Sequence, residues 1–274
     1  MLLGRADGST GALVPLYSFA RVRMAVKDVV ARVGSFAAYA GASVDSVVGG
    51  AATQQLTVRT LDHMMFRNVG GRFTATPLAA ETQQAPAFAS AIADFDGDGA
   101  EDLFLGQNFF PTMIGMPRHD QGRGLLLRGD GAGALTPLSA QQSGIAVYGD
   151  QRGAAYADFN RDGRLDLAVS QNGDQTRLFE NRGARVGLRV RLRGPSGNPD
   201  GVGAQVRIVY GATMGPVREV QAGSGYWSQN GAVQLFGLRA TPTAVWVRWP
   251  GGAVHRVPVP AGAREIVVPF DSAR

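Results

Sequence analysis

Short apolar runs separated by glycine-rich turns dominate the pattern of this chain. Three related phrases show it: LLGRADGSTGALVPL from Leu2, FRNVGGRFTATPLA from Phe66 and LLLRGDGAGALTPLSA from Leu125. The start of another copy, RLFENRG, follows at Arg177. Each phrase has an apolar run, a turn and a second apolar run, which is typical of a β-hairpin. We therefore predict a series of hairpins as far as Gly183.

A second pattern repeats between the hairpins. Residues 93–108 read ADFDGDGAEDLFLGQN and residues 157–172 read ADFNRDGRLDLAVSQN, and the two align without gaps at an offset of 64 residues. The repeating unit is thus a hairpin, a strand, an aspartate-rich loop and a strand. Four short strands per unit suit a β-propeller blade, and propellers typically have about four to eight blades. Because only two full units are visible, the sequence predicts a partial propeller.

The stretch between the first two hairpins has a different texture. Val22, Val26, Val29 and Val33 stand at helical spacing, and Ser35 is a candidate N-cap of a further helix carrying Phe36, Tyr39 and Val44. We expect a helical insertion over about residues 20–48, packed on the β-domain. Its apolar face is expected to serve core packing in preference to binding.

After Gly183 the repeat stops and a separate small β-domain is predicted. Turn clusters such as GPSGNPDG and PGG divide this part into short runs. Trp246 and Trp249 are an odd number of residues apart in one run, so one indole is expected to be exposed. The predicted strands are residues 186–193, 203–210, 216–222, 231–238, 244–249 and 254–259.

These patterns predict an all-β fold class: a partial β-propeller with a short helical insertion, followed by a small, sandwich-like β-rich domain. The predicted domains are residues 1–60, a partial repeat with the helical insertion; residues 61–183, the propeller blades with two acidic loops; and residues 184–274, the C-terminal β-domain.

Composition excludes several classes of function. The 274 residues contain 38 glycines, as many tight turns require, and no cysteine, which rules out disulfides, thiol catalysis and a cysteine zinc site. No apolar run is long enough to span a membrane. The net charge is +5, concentrated after Gly183, where 11 basic residues face 4 acidic ones. These arginines alternate with apolar residues, as on the solvated face of a strand, so no nucleic-acid partner is expected.

The two aspartate-rich loops are the strongest chemical signal. Several carboxylates within nine residues repel one another unless a cation lies between them, and oxygen ligands at alternate positions around a glycine turn favour Ca²⁺. An EF-hand is excluded because its bidentate glutamate position holds Leu105 in one loop and Val169 in the other. The predicted ligands are Asp94, Asp96, Asp98, Asp102 and the carbonyl of Ala100 in the first loop, and Asp158, Asn160, Asp162, Asp166 and the carbonyl of Arg164 in the second.

The expected cofactor is therefore calcium, about two ions, each joining neighbouring strands in a structural role. With one loop supplying all the ligands, an ion has little reason to keep an open catalytic position. Asn160 removes one charge, so the second loop is expected to bind more weakly than the first.

The two acidic loops and the C-terminal segment resemble known families. DFDGDGAEDL and DFNRDGRLDL resemble the calcium loops of FG-GAP/VCBS repeats, the blade units of integrin-α-like propellers. The tail, with GVGAQV, GSGYWSQN, FGL and VRWPGG in order, is similar to the ASPIC/UnbV domain of cartilage acidic protein relatives and of bacterial secreted proteins. The resemblance implies that the side chains named above hold calcium. It also implies an extracellular or periplasmic protein that binds more than it catalyses.

The small number of blades departs from these families. We expect the chain to be part of a longer protein. Alone, it is expected to oligomerise or aggregate through an open strand edge.

Two further sequence features are candidate recognition sites. Tyr226 and Trp227, in a glycine-flanked turn, could contact a sugar or a protein partner, although the favoured alternative is that one ring closes the core of the C-terminal domain. The tripeptide Arg128-Gly129-Asp130 resembles an adhesion motif, but Arg5-Ala6-Asp7 at the matching place favours a role in the turn.

The expected function is non-enzymatic binding of a protein or carbohydrate outside the cytoplasm, in an adhesion-like role. One alternative is a propeller-based hydrolase or lyase, although no catalytic motif supports it. A second alternative is a purely structural spacer of a larger surface protein.

Overall fold

The computed structural model describes residues 4–50, 56–112 and 117–270. These residues are mostly β-strand with a few short helices, consistent with the all-β class predicted above. The chain divides into two units, Met1–Leu61 and Asp62–Arg274. Within the described ranges the sheets do not close into a complete propeller, and no helix there has the length and apolar character needed to cross a bilayer.

The first unit is a small hairpin with four short helices. Its elements are the antiparallel pair β1 (Gly4–Ala6) and β2 (Leu13–Pro15), then α1 (Phe19–Ala25), α2 (Val29–Val33), α3 (Phe36–Ala40) and α4 (Val44–Val48). The hydroxyl of Ser35 accepts a hydrogen bond from the Ala38 N–H at 3.1 Å, so the predicted N-cap is confirmed. The predicted continuation of that helix to Val44 is wrong, because the helix ends at Ala40 and Ser43 caps a separate one.

The apolar face of these helices forms a core, as predicted. Val22, Val29 and Val47 are buried with Phe19 and Tyr39, and Val26 and Val33 pack against them. Phe36 is mostly exposed, although its ring makes an edge-to-face contact with the Phe19 ring, with 5.1 Å between the ring centroids.

The repeats form successive antiparallel sheets in the second unit. The hairpin of β3 (Met64–Val69) and β4 (Arg72–Pro77) turns at Gly70 and Gly71, whose φ angles of 60° and 84° suit a tight two-residue turn. A short 3₁₀ segment, Ala80–Gln84, leads to the next sheet. That sheet has the order β5 (Ala87–Ala93), β6 (Asp102–Gln107), β7 (Leu125–Gly129) and β8 (Leu135–Pro137). After α5 (Ala140–Ser143) come β9 (Gln151–Ala157), β10 (Asp166–Gln171) and β11 (Asp174–Phe179).

The chain after Gly183 adds two more sheets to the same unit. The first has β12 (Leu188–Arg193) between β16 (Gln234–Phe236) and β19 (Glu265–Pro269), and β12 and β19 run parallel. The second contains β13 (Gln205–Tyr210), β14 (Thr213–Met214), β15 (Arg218–Glu219), β17 (Ala244–Arg248) and β18 (Val254–Pro258). β19 was not among the strands predicted from the sequence.

Apolar side chains of these two sheets share one buried cluster, which includes Leu188, Ile208, Val245 and Trp249. Trp249 is 2% exposed and Trp246 is half-buried, so the prediction that one indole is exposed is wrong. Trp246 is on β17, which lies between β13 and β18, where Arg207 and Arg256 are its neighbours in the sheet. Leu235 belongs instead to the core of the repeats. The C-terminal sheets and the repeats are therefore in direct contact within this unit.

Candidate metal centre and aromatic surface

The first acidic loop, residues 94–102, joins β5 to β6 and gathers three carboxylates. One oxygen from each of Asp94, Asp96 and Asp102 lies within 4.8 Å of the other two. Calcium–oxygen distances are about 2.3–2.6 Å, so oxygens on opposite sides of one ion are about 5 Å apart. The three residues therefore fit a Ca²⁺ ion, and the described part of the chain has no other cluster of this kind. Asp98 lies outside it and accepts a hydrogen bond from the N–H of the buried Ala100 at 2.7 Å.

Backbone N–H groups fix the shape of this loop. Asp94 Oδ1 accepts from the Asp98 N–H at 3.0 Å, and its Oδ2 accepts from the Gly99 N–H at 2.9 Å. Asp102 accepts from the N–H of Phe95 and of Gly129, both at 2.8 Å. These backbone hydrogen bonds alone hold the Asp94 and Asp102 carboxylates inside the loop.

The electrostatics of the first loop favour a cation. Asp94 and Asp102 are almost completely buried. Burial raises the pKa of the Asp94 carboxyl and raises the pKa of Asp102 to about 6, because a charged carboxylate loses its hydration there. Arg128 Nε pairs with Asp96 Oδ2 at 3.0 Å, but the arginine side chain is 55% exposed. Asp94 and Asp102 are therefore the carboxylates that a bound cation would stabilise most.

The second acidic loop, residues 158–166, joins β9 to β10 with most of the same internal hydrogen bonds. Asp158 Oδ2 accepts from the Gly163 N–H at 3.1 Å, and Asn160 Oδ1 accepts from the Asp162 N–H at 3.1 Å. Asp166 accepts from the Phe159 and Asn181 N–H groups at 3.1 and 2.8 Å. The two loops predicted from their common spacing thus have a common backbone design.

The second loop differs in the cations that it already contains. Arg164 Nη1 pairs with Asp162 Oδ2 at 3.0 Å. Arg189 Nη1, from β12, donates to Asp158 Oδ2 in a very short contact. The other oxygen, Asp158 Oδ1, is buried and has no hydrogen-bond partner among the described residues. A guanidinium group from β12 therefore already pairs with the first aspartate of this loop, at its Oδ2 oxygen.

The C-terminal sheets supply a donor to the first aspartate of each loop, which the sequence did not indicate. Gly237 donates its N–H to Asp94 Oδ2 at 3.0 Å, in the same role as Arg189 at Asp158. Asn181 also links the loops, because its Nδ2 donates to the carbonyls of Phe95 at 2.7 Å and Leu165 at 3.0 Å. These contacts span 16 residues or more. Gly237 lies in the FGL motif and Asn181 in the RLFENRG phrase, but neither pattern indicated a contact with the acidic loops.

The tripeptide Arg128-Gly129-Asp130 is used within the protein. Arg128 pairs with Asp96, and Gly129 donates to Asp102. Asp130 Oδ1 accepts from the N–H groups of residues 132, 133 and 134, which lowers the pKa of its carboxyl. Asp7 makes a similar turn in the first unit. The role in the turn that the matching position favoured is thus supported by the contacts of all three residues.

Tyr226 and Trp227 lie on the surface and not in the core, so the favoured expectation that one ring closes the C-terminal core is wrong. Trp227 is 87% exposed and Tyr226 41% exposed, and the rings stack at 5.0 Å between centroids. Trp227 also has a φ of 47°, a left-handed conformation that non-glycine residues rarely adopt. The physical reason is that this loop lies along β9: Ser228 Oγ accepts from the Ala154 N–H at 3.1 Å.

Other aromatic residues extend this surface. The Tyr226 ring contacts Phe88 at 5.9 Å between centroids, and Phe88 stacks with Phe109 at 5.4 Å. The Arg152 guanidinium lies 4.2 Å from the centre of the Phe88 ring and pairs with the buried Asp150 at 2.7 Å. The sequence did not predict that the repeat residues Phe88 and Phe109 would join the aromatic pair.

Comparison with known proteins supports part of the resemblance. The family model described as ASPIC and UnbV matches residues 194–273. No curated protein matches the chain. The C-terminal β-domain therefore has the sequence features of the ASPIC and UnbV family, as the resemblance predicted.

Proposed function

We propose that this chain is a calcium-binding, non-enzymatic protein of the extracellular or periplasmic space, in which FG-GAP/VCBS-type blades of a partial propeller precede an ASPIC/UnbV domain. The observation that carries this proposal is the approach of Asp94, Asp96 and Asp102 oxygens to within 4.8 Å, with two of the carboxylates buried. Ca²⁺ bound there would join β5 to β6 and neutralise the loop. Such an ion is structural, since the loop and Gly237 surround Asp94 with hydrogen-bond donors from the protein.

The repeated architecture supports the blade assignment. Two successive antiparallel sheets contain the two acidic loops at equivalent places, and their first strands, β5 and β9, pack beside each other. Adjacent sheets with equivalent loops are what the blade assignment expects, and they support it. The match of residues 194–273 to ASPIC and UnbV supports the assignment of the C-terminal domain.

Calorimetric titration of the full chain with CaCl₂ tests the metal proposal. Asp96→Asn keeps the oxygen that accepts from the Asp98 N–H at 3.1 Å but removes the charge, so we expect calcium affinity at this loop to fall at least about tenfold. Asp174→Asn, on an exposed residue outside both loops, is the matched control and should bind like the original chain. Absence of calcium uptake, or equal affinities for the original chain and Asp96→Asn, would refute the proposal.

The aromatic surface favours a binding role for this protein. An exposed, glycine-flanked Trp227 in an unfavourable backbone conformation is typical of residues retained for recognition, because such strain is concentrated at functional sites. The ligand proposed is a protein or a carbohydrate, as expected from the sequence. Binding on a glycan array that is lost on Tyr226→Ala plus Trp227→Ala, with an unchanged calcium titration, would support carbohydrate binding. Binding retained by the double variant would exclude this surface.

A further inference from the structure

We propose that Arg189 takes the place of a divalent ion in the second acidic loop, so that the chain binds one Ca²⁺ ion, at the first loop, and not two. The proposal rests on the calcium function proposed above for the first loop. It changes the expectation of two ions, which considered only the residues within each loop. The residue that decides the difference lies outside both loops, in β12.

The guanidinium of Arg189 is fixed from two sides. Its Nη1 donates to Asp158 Oδ2, and its Nε donates to Glu265 Oε2 at 3.0 Å. The side chain of Arg189 is 8% exposed and that of Asp158 3% exposed. The parallel register of β12 and β19 places Arg189 directly opposite Glu265. Both strands thus hold the positive charge against the loop.

Release of Arg189 to make room for an ion is unfavourable. Moving it would leave a buried guanidinium or a buried carboxylate without its partner, and uncompensated buried charges are strongly destabilising. In the first loop the arginine that pairs with an aspartate is Arg128, which is 55% exposed, and its partner Asp96 is 33% exposed. Exposed pairs of this kind contribute little and can separate readily. The less exposed Arg218 pairs with Glu101.

The charges of the two loops also favour calcium binding at the first loop over the second. Of the four aspartates in the first loop, Asp96 pairs with the exposed Arg128, and the nearby Arg218 pairs with Glu101 instead of an aspartate. In the second loop Asn160 leaves three aspartates, and Arg164 and Arg189 already pair with two of them. A divalent ion entering there would be repelled by two guanidinium groups. Two of the three carboxylates in the second loop are therefore neutralised by the protein itself.

One observation, the unpartnered Asp158 Oδ1, favours calcium binding at the second loop. A buried carboxylate oxygen without a donor is a free ligand atom, and an ion could use it without displacing Arg189 from Oδ2. Counting bound ions decides between these possibilities, because each one predicts a different stoichiometry.

The experiment is a calcium titration of the full chain by calorimetry, with equilibrium dialysis to count ions. We expect one ion for the original chain, one ion bound at least about tenfold more weakly for Asp96→Asn, and two ions for Arg189→Met, which removes the charge but keeps most of the side-chain length. Arg191→Met is the matched control. Among the described residues Arg191 also pairs with Glu265, at 3.1 Å, but not with Asp158, so this variant should bind one ion.

Two ions bound by the original chain would overturn this inference and leave the proposed calcium function intact. No ion bound by the original chain would refute the proposed function itself. If Arg189→Met does not fold, the same titration is made with Asp158→Asn. Binding of one ion by this variant, as in the original chain, supports the inference, and a loss of calcium uptake contradicts it. A folded Arg189→Met that still binds one ion would also overturn it.

Discussion

Gly237 joins the C-terminal sheets to the first acidic loop, and its replacement by alanine should disrupt both. Its N–H donates to the buried Asp94 Oδ2 at 3.0 Å. A Cβ at this position would lie 2.0 Å from that oxygen and 2.6 Å from the backbone carbon of Gly97. Real Cβ atoms do not approach other atoms so closely, and a backbone atom cannot rotate away. Asp94 or the chain around Gly237 must therefore move.

The magnitude follows from the bond that is lost. A hydrogen bond to a charged group contributes about 1.5–3 kcal/mol, and displacement adds strain, so we expect Gly237→Ala to destabilise the second unit by about 3 kcal/mol. For about 150–250 residues, each kcal/mol lowers the melting temperature by roughly 2–4 °C, which gives a fall of roughly 6–12 °C. The stabilisation by calcium should shrink as well, because Asp94 no longer points into the loop.

Thermal unfolding followed by circular dichroism, with calcium and with EDTA, measures both effects. Gly197→Ala is the matched control, since a Cβ there has no neighbour within 4 Å and should change the melting temperature little. Equal melting temperatures for Gly237→Ala and Gly197→Ala, with equal stabilisation by calcium, would show that Gly237 does not hold Asp94 in place.

Two further predictions concern the same region. Asn181→Ala removes donors to the Phe95 and Leu165 carbonyls, so urea unfolding should show a loss of about 2–3 kcal/mol, and an unchanged midpoint would contradict a linking role for Asn181. Since burial raises the pKa of Asp102 to about 6 from 3.8, the calcium-free protein binds more protons when folded than when unfolded between these values. This contribution destabilises the calcium-free protein as pH rises from about 4 to about 6, by up to about 3 kcal/mol, and saturating calcium should reverse it at neutral pH. Urea midpoints in EDTA at pH 5 and pH 7 check this, and a larger midpoint at pH 7 would count against it.

The local features of this fold could be predicted from the sequence. The hairpin at Gly70 and Gly71 follows from a turn that needs positive φ at both residues, and the chain turns there. The common spacing of the two acidic loops was visible because all their internal hydrogen bonds join residues within a few positions. The core valines Val22 and Val29 were visible from helical periodicity.

Features that depend on distant parts of the chain could not be predicted. Gly237 and Arg189 reach the acidic loops across long sequence separations, and an alternating strand such as LRVRLR gives no sign of which arginine faces a carboxylate. The sequence favoured a core position for one ring of Tyr226 and Trp227, and this was wrong because their position depends on how the loop runs along β9. Spacing of residues in one segment carries no information about these contacts.

The parallel pairing of β12 with β19 has a consequence for the order of events during synthesis. Arg189 leaves the ribosome long before its partner Glu265, which lies 76 residues later in the chain. Non-local pairings of this kind form slowly. During that interval the second acidic loop has only Asp158 and its neighbours to hold Arg189, and the sheet β16-β12-β19 lacks one edge. Completion of the last strand is thus the step that fixes the internal cation in place.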